Sequence, residues 1–72
     1  MNQMTKSARR ILNILRGREL SQKEIIRRSG LTERAVRYIL TDLLNHRLIS
    51  MRKTSKDRRL KLYSLVSDVV FS

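Results

Sequence analysis

Two helix-start signals stand on either side of Gly30, and their spacing restricts the fold more than any other feature of the chain. Ser21-Gln22-Lys23-Glu24 has the form of a capping box: the Ser21 hydroxyl accepts from the Glu24 backbone N–H, and the Glu24 carboxylate returns to Ser21. Gly30 then supplies the left-handed conformation that commonly closes a helix. Leu31 bridges to Thr32, a second N-cap, and Glu33 suits the positive end of the next helix dipole. A short helix between Ser21 and Gly30 and a longer one from Glu33 to about His46 follow from these signals. The longer helix carries Ala35, Val36, Ile39, Leu40, Leu43 and Leu44, whose spacing defines a broad buried face. Arg34, Arg37, Tyr38, Thr41 and Asp42 fall outside that face. The connection Gly30-Leu31-Thr32 lets the two helices cross and share Ile25, Ile26 and Leu31, while the start of the second helix protrudes. This is a helix-turn-helix pattern.

The flanks complete a small domain. Ala8, Ile11, Leu12 and Leu15 form one stripe of an amphipathic helix over Lys6 to Arg16, which Met4 extends and Gly17 stops; Arg9, Arg10 and Arg16 avoid the stripe. Leu20 forms a short extended bridge. Past the long helix, Leu48 to Lys53 and Leu60 to Val66 show partial alternation around the polar Thr54 to Arg59, a hairpin with a basic tip. No glycine closes the long helix, so Asn45 or His46 is expected in the left-handed position. The fold class expected is α+β: a winged helix-turn-helix, three helices followed by a two- or three-stranded hairpin wing. One domain spans all 72 residues, a size that buries only about 60% of the unfolded surface, so the core must be compact. Val69-Val70-Phe71 has three places open to it, packing on the first helix, extending the last strand or helping a partner chain dock, of which packing is the commonest outcome.

Charge narrows the partner. Seventeen Lys and Arg against six Asp and Glu give a net charge of +11, which opposes compaction and points to a polyanion. Nucleic acid is favoured over a membrane because no helix pairs a basic face with a large aromatic one. There is no cysteine for a disulfide or thiolate metal site, and no apolar run approaches the roughly 20 residues of a membrane span. The expectation is a soluble cytoplasmic protein. His46, the only histidine, has no ligand partners nearby and is assigned to backbone carbonyls at the helix end. No nucleophile and base pattern or phosphate loop appears, so neither an enzyme nor a cofactor is expected.

The expected partner is double-stranded DNA. Thr32, Arg34, Arg37, Tyr38 and Thr41 form the major-groove set, in which Arg can donate two hydrogen bonds to guanine and the hydroxyls can reach phosphates or base edges. Ser21, Gln22 and Lys23 at the start of the first helix of the pair, with Lys53, Lys56, Arg58 and Arg59 on the wing, form the set for the DNA backbone and minor groove. A single small reader engages few base pairs, so a homodimer on two half-sites is expected, with Met4, Ile11, Ile14 and Phe71 as candidate contacts. The alternative is a non-specific architectural or RNA-binding winged helix using the same charge. A protein-interaction adaptor fits the fold but not the charge.

From Leu20 to Leu65 the chain resembles the winged-helix domains of the multiple-antibiotic-resistance regulator (MarR) family and related archaeal and bacterial transcription factors. The resemblance is carried by Leu20-Ser21-Gln22, Glu24-Ile25, Leu31-Thr32, Val36, Leu40, Leu43, Leu48-Ile49, Asp57-Arg58-Arg59 and Tyr63-Ser64-Leu65. It implies a transcriptional regulator in which Arg59 enters the minor groove and Asp57 orients it. Full-length members of that family add helices for dimerisation and effector binding that 72 residues do not accommodate, so no small-molecule effector is expected.

Overall fold

Each of the three helices starts on a hydroxyl side chain. Thr5 accepts from the Ala8 N–H at 3.1 Å, Ser21 from Glu24 at 3.3 Å and Thr32 from Ala35 at 3.1 Å, each satisfying a donor that the first helical turn leaves unpaired. The computed structural model describes residues 5–54, 56 and 60–66. Its elements are α1 (Lys6–Leu15), β1 (Leu20–Ser21), α2 (Gln22–Ser29), α3 (Glu33–Asn45), β2 (Ile49–Lys53) and β3 (Lys61–Leu65). The strands form one antiparallel sheet in the order β1-β3-β2, with Tyr63 of β3 opposite both Leu20 and Met51. The winged helix-turn-helix architecture is therefore present, with Leu20 and Ser21 as the third strand.

Helix ends follow the sequence with two corrections. α2 closes on Gly30 at φ +74°, and Gly17, at φ +65°, lies just beyond the end of α1. After α3, however, the left-handed residue is Arg47 at φ +60°, neither Asn45 nor His46. The Arg47 N–H bonds Leu44 O and the Leu48 N–H bonds Leu43 O, each at 3.0 Å, which is a Schellman closure one residue later than expected. Leu48 is drawn back toward the core by it. The second correction is the capping box, of which one half forms. The Glu24 carboxylate turns to Arg27 and Arg28 at 2.9 and 3.2 Å, because charged donors one turn along the helix offer stronger bonds than a backbone amide.

The core is a single cluster. α1 contributes Ala8, Ile11, Leu12 and Leu15, α2 contributes Ile25, and α3 contributes Val36, Ile39, Leu40 and Leu43; the sheet adds Ile49 and Tyr63. Ile11 is fully buried, which removes it as a dimer contact; a β-branched side chain in this stripe is core, and only Ile14 stands at its margin. Met4, Phe71 and the Val69-Val70 pair lie outside the described residues. Ser29 is buried in the helix-turn-helix connection, donating to Ile26 O at 3.3 Å and accepting from the Leu31 N–H at 3.1 Å. Arg10 ties α1 to the same turn by donating to Ser29 O at 3.0 Å. These bonds brace the turn between α2 and α3 and tie it to α1.

Candidate nucleic-acid interface

α3 is inserted into the core along one side and presents cations on the other. Arg34, Arg37, Tyr38 and Thr41 are all exposed, and Tyr38 leaves 74% of its surface in solvent, far more than a ring with a packing role would. Arg34 with Tyr38, and Arg37 with Thr41, are spaced one helical turn apart and so stack in two adjacent rows. Thr32 is exposed as well, but its oxygen is already the cap of the helix. Thr41 donates its hydroxyl proton to Arg37 O at 3.0 Å, so what it offers a ligand is an acceptor. Glu33 was not among the expected site residues. Its carboxylate lies 3.7 Å from the Arg37 guanidinium, and Glu33, Arg34 and Arg37 line a shallow depression at the start of the helix.

A second group forms where α2 meets the wing. Ser21, Gln22 and Lys23 join Leu60, Lys61 and Tyr63 around a concavity of about 360 Å³. Ser21 and Gln22 are half-buried, whereas Lys23 is exposed. The first-turn N–H groups of α2 and the positive end of its dipole lie beside two lysines here, which suits an anion. Lys61 also stands directly opposite Lys53 across the β2–β3 ladder. Like charges so placed destabilise a sheet, and a bound anion between them relieves the repulsion. Lys56 is exposed; Arg58 and Arg59, together with Asp57, lie outside the described residues. Burial pushes the Tyr63 phenol upward in pKa, and its ring fastens the base of the wing to the core.

Arg52 and Glu19 form a pair that local sequence patterns do not announce. The Arg52 guanidinium donates to both Glu19 oxygens, at 2.6 and 2.7 Å, across 33 positions of chain. These bonds hold the Glu19 carboxyl below its ordinary range and raise Arg52. Lys61 was equally missed as a site residue, although its place in an alternating basic strand was a usable signal. His46 Nδ1 lies 2.8 Å from Asp42 O, the helix-end contact expected of it. Among the described residues no group of three His, Cys, Asp or Glu side chains could hold a metal, and no helix is long and apolar enough to cross a membrane.

A family model described as a winged helix DNA-binding domain matches residues 4–66. No curated protein matches the chain by sequence. Solved structures match it by fold. The adhesin competence repressor AdcR of Streptococcus pyogenes superposes with a TM-score of 0.86 at 18% identity, over 90% of this chain and 48% of its own. ZitR of Lactococcus lactis, a zinc-responsive MarR family member, gives 0.85 at 26% identity, over 92% and 46%. MepR of S. aureus, in complex with DNA, gives 0.82 at 24% identity, over 89% and 54%. The chain thus spans about half the length of the proteins it resembles.

Proposed function

The chain belongs to the winged helix DNA-binding domain family, and from that premise we propose that it is a transcriptional regulator selecting duplex sites through α3. The observation that carries this reading is the division of α3: Val36, Ile39, Leu40 and Leu43 are locked in the core, while Arg34, Arg37 and Tyr38 are held out on the opposite side. A face so backed can enter a major groove with little loss of conformational freedom beyond that of the arginines themselves. The α2 start and Lys53, Lys56 and Lys61 contact phosphates on either side. Arg58 and Arg59 extend the wing contact, with Arg59 directed into the minor groove and Asp57 orienting it. MepR, solved with DNA, supports a duplex as the ligand.

The protein acts without catalysis or cofactor, in the cytoplasm, as a homodimer on paired half-sites. With Ile11 buried, the dimer uses other surface, and Ile14 is its remaining described candidate. Selection of bound sequences from a randomised duplex pool tests the whole reading, and a palindromic motif is its expected product. Log affinity should fall with log salt at a slope near −4 to −5 per chain, if about five phosphates are contacted. A pool without enrichment, together with equal affinity for RNA, overturns the regulator in favour of a non-specific binder. Sedimentation showing a monomer both free and on DNA overturns the dimer.

A further inference from the structure

The wing has less to hold it than the helices do. β1 is only two residues long and meets β3 through Leu20–Tyr63 and Ser21–Leu62, and β2 contributes one buried residue, Ile49, with the next four exposed. Beyond the level of Met51 and Tyr63 the hairpin leaves the core behind. Arg52 sits at that point, opposite Leu62, with only Lys53 after it in the strand. Glu19 lies in the connection between α1 and β1, on the far side of β3 from Arg52. The two side chains therefore reach across β3 to meet, tying β2 to the segment that leads into β1. By contrast, Glu24 with Arg27 and Arg28, Glu33 with Arg37 and Asp42 with His46 join residues only three or four positions apart, along a helix or at its cap. A bidentate Arg–carboxylate pair fixes direction as well as distance, since two parallel bonds resist rotation of either group.

We infer that Glu19 is a positioning residue for DNA binding, clamping Arg52 so that the wing projects at a set angle from the helix-turn-helix body. The clamp also withdraws Arg52 from the cations free to meet phosphate, leaving Lys53, Lys56 and Lys61 to act from a fixed base. Only the consequence for DNA rests on the proposed function. The clamp itself is a property of the free protein.

The experiment uses the full chain and the variants Glu19→Gln, Arg52→Gln and their combination. In the free protein, amide hydrogen exchange is followed by NMR. Glu19→Gln speeds exchange in β2 at Arg52, whose amide faces β3, and at the adjoining Thr54, which donates to Leu60 O, and leaves α3 unchanged, and the double variant exchanges no faster than either single one. Additive effects, or unchanged exchange in β2, overturn the clamp. On a duplex carrying the selected site, Glu19→Gln binds about two- to fivefold more weakly, the scale an accessible pair can transmit, although it makes the protein more positive. Counting charge alone predicts the reverse: tighter binding on every duplex and a salt slope steeper by about 0.9 as Arg52 joins the contacts. That result overturns the positioning role. If the unsubstituted protein shows no salt-dependent duplex affinity, the regulator reading fails, and the exchange measurement still decides the clamp.

Discussion

α3 and the wing both direct cations to solvent, but they are held by different means. α3 is capped at Thr32, closed by the Arg47 Schellman turn, and anchored by four buried side chains. The wing is anchored at its base by Ile49 and Tyr63, with Met51 and Leu60 left at 37% and 43% exposure, and farther out by one ion pair. A helix whose buried face is built into the core moves only if the domain unfolds. A hairpin packed on the core only at its base can be reoriented locally beyond that base. On the proposed reading, base discrimination falls to the rigid helix, and the wing meets the DNA backbone at an angle that depends on the Glu19–Arg52 pair.

The largest expected difference is in stability. Leu40→Ala removes a side chain that is 2% exposed and should cost about 2–5 kcal/mol, whereas Met51→Ala should stay below about 1 kcal/mol. Chemical denaturation of both variants gives the comparison, and equal costs would show that the wing is as deeply anchored as the helix. In binding, Arg34→Ala and Arg37→Ala should each lose roughly 1–3 kcal/mol on the selected site and relax particular base positions. Lys53→Ala should instead weaken all duplexes alike and flatten the salt slope by about 0.9. Uniform loss from the arginines would move them into the phosphate class with the wing.

A smaller effect tests the end of α3. Arg47 is held at φ +60°, a region glycine occupies without steric penalty, so Arg47→Gly should raise stability by about 0.5–1 kcal/mol. A thermal melt that falls instead would mean that the Arg47 side chain contributes more than its backbone costs. The smallest effect is on acid sensitivity. Glu19 and Glu24 are held below their ordinary pKa by hydrogen bonds from arginines, so what they add to stability is present above the unfolded carboxylate pKa. It is lost as pH falls through the lower, folded values. Melting followed from neutral to acidic pH should therefore decline less steeply in Glu19→Gln, and parallel declines would remove the wing pair from the acid response.

Most of the helical framework was legible because its signals are local. Ser21, Gly30 and Thr32 act on amides and dihedrals within a few residues of themselves, and the Ile11, Leu12 and Leu15 stripe repeats at the helical period. The exposed arginine face of α3 is the complement of such a stripe, so it was legible for the same reason. Chain composition likewise carries the net charge of +11 that points to a polyanion, since net charge does not depend on the fold. Local competition already exceeded what spacing can tell. Glu24 had a backbone amide and two arginines within reach, and the charged donors won. Arg47, rather than Asn45 or His46, became the left-handed residue because the closure that returns Leu48 to the core requires it one position later. Other features belong to tertiary structure alone. Lys53 meets Lys61, Arg10 meets Ser29 and Glu19 meets Arg52 only once strand order and helix crossing are set. Such pairs involve side chains distant in sequence, whose approach is arranged by the burial of other residues, and no short-range pattern in the chain encodes it.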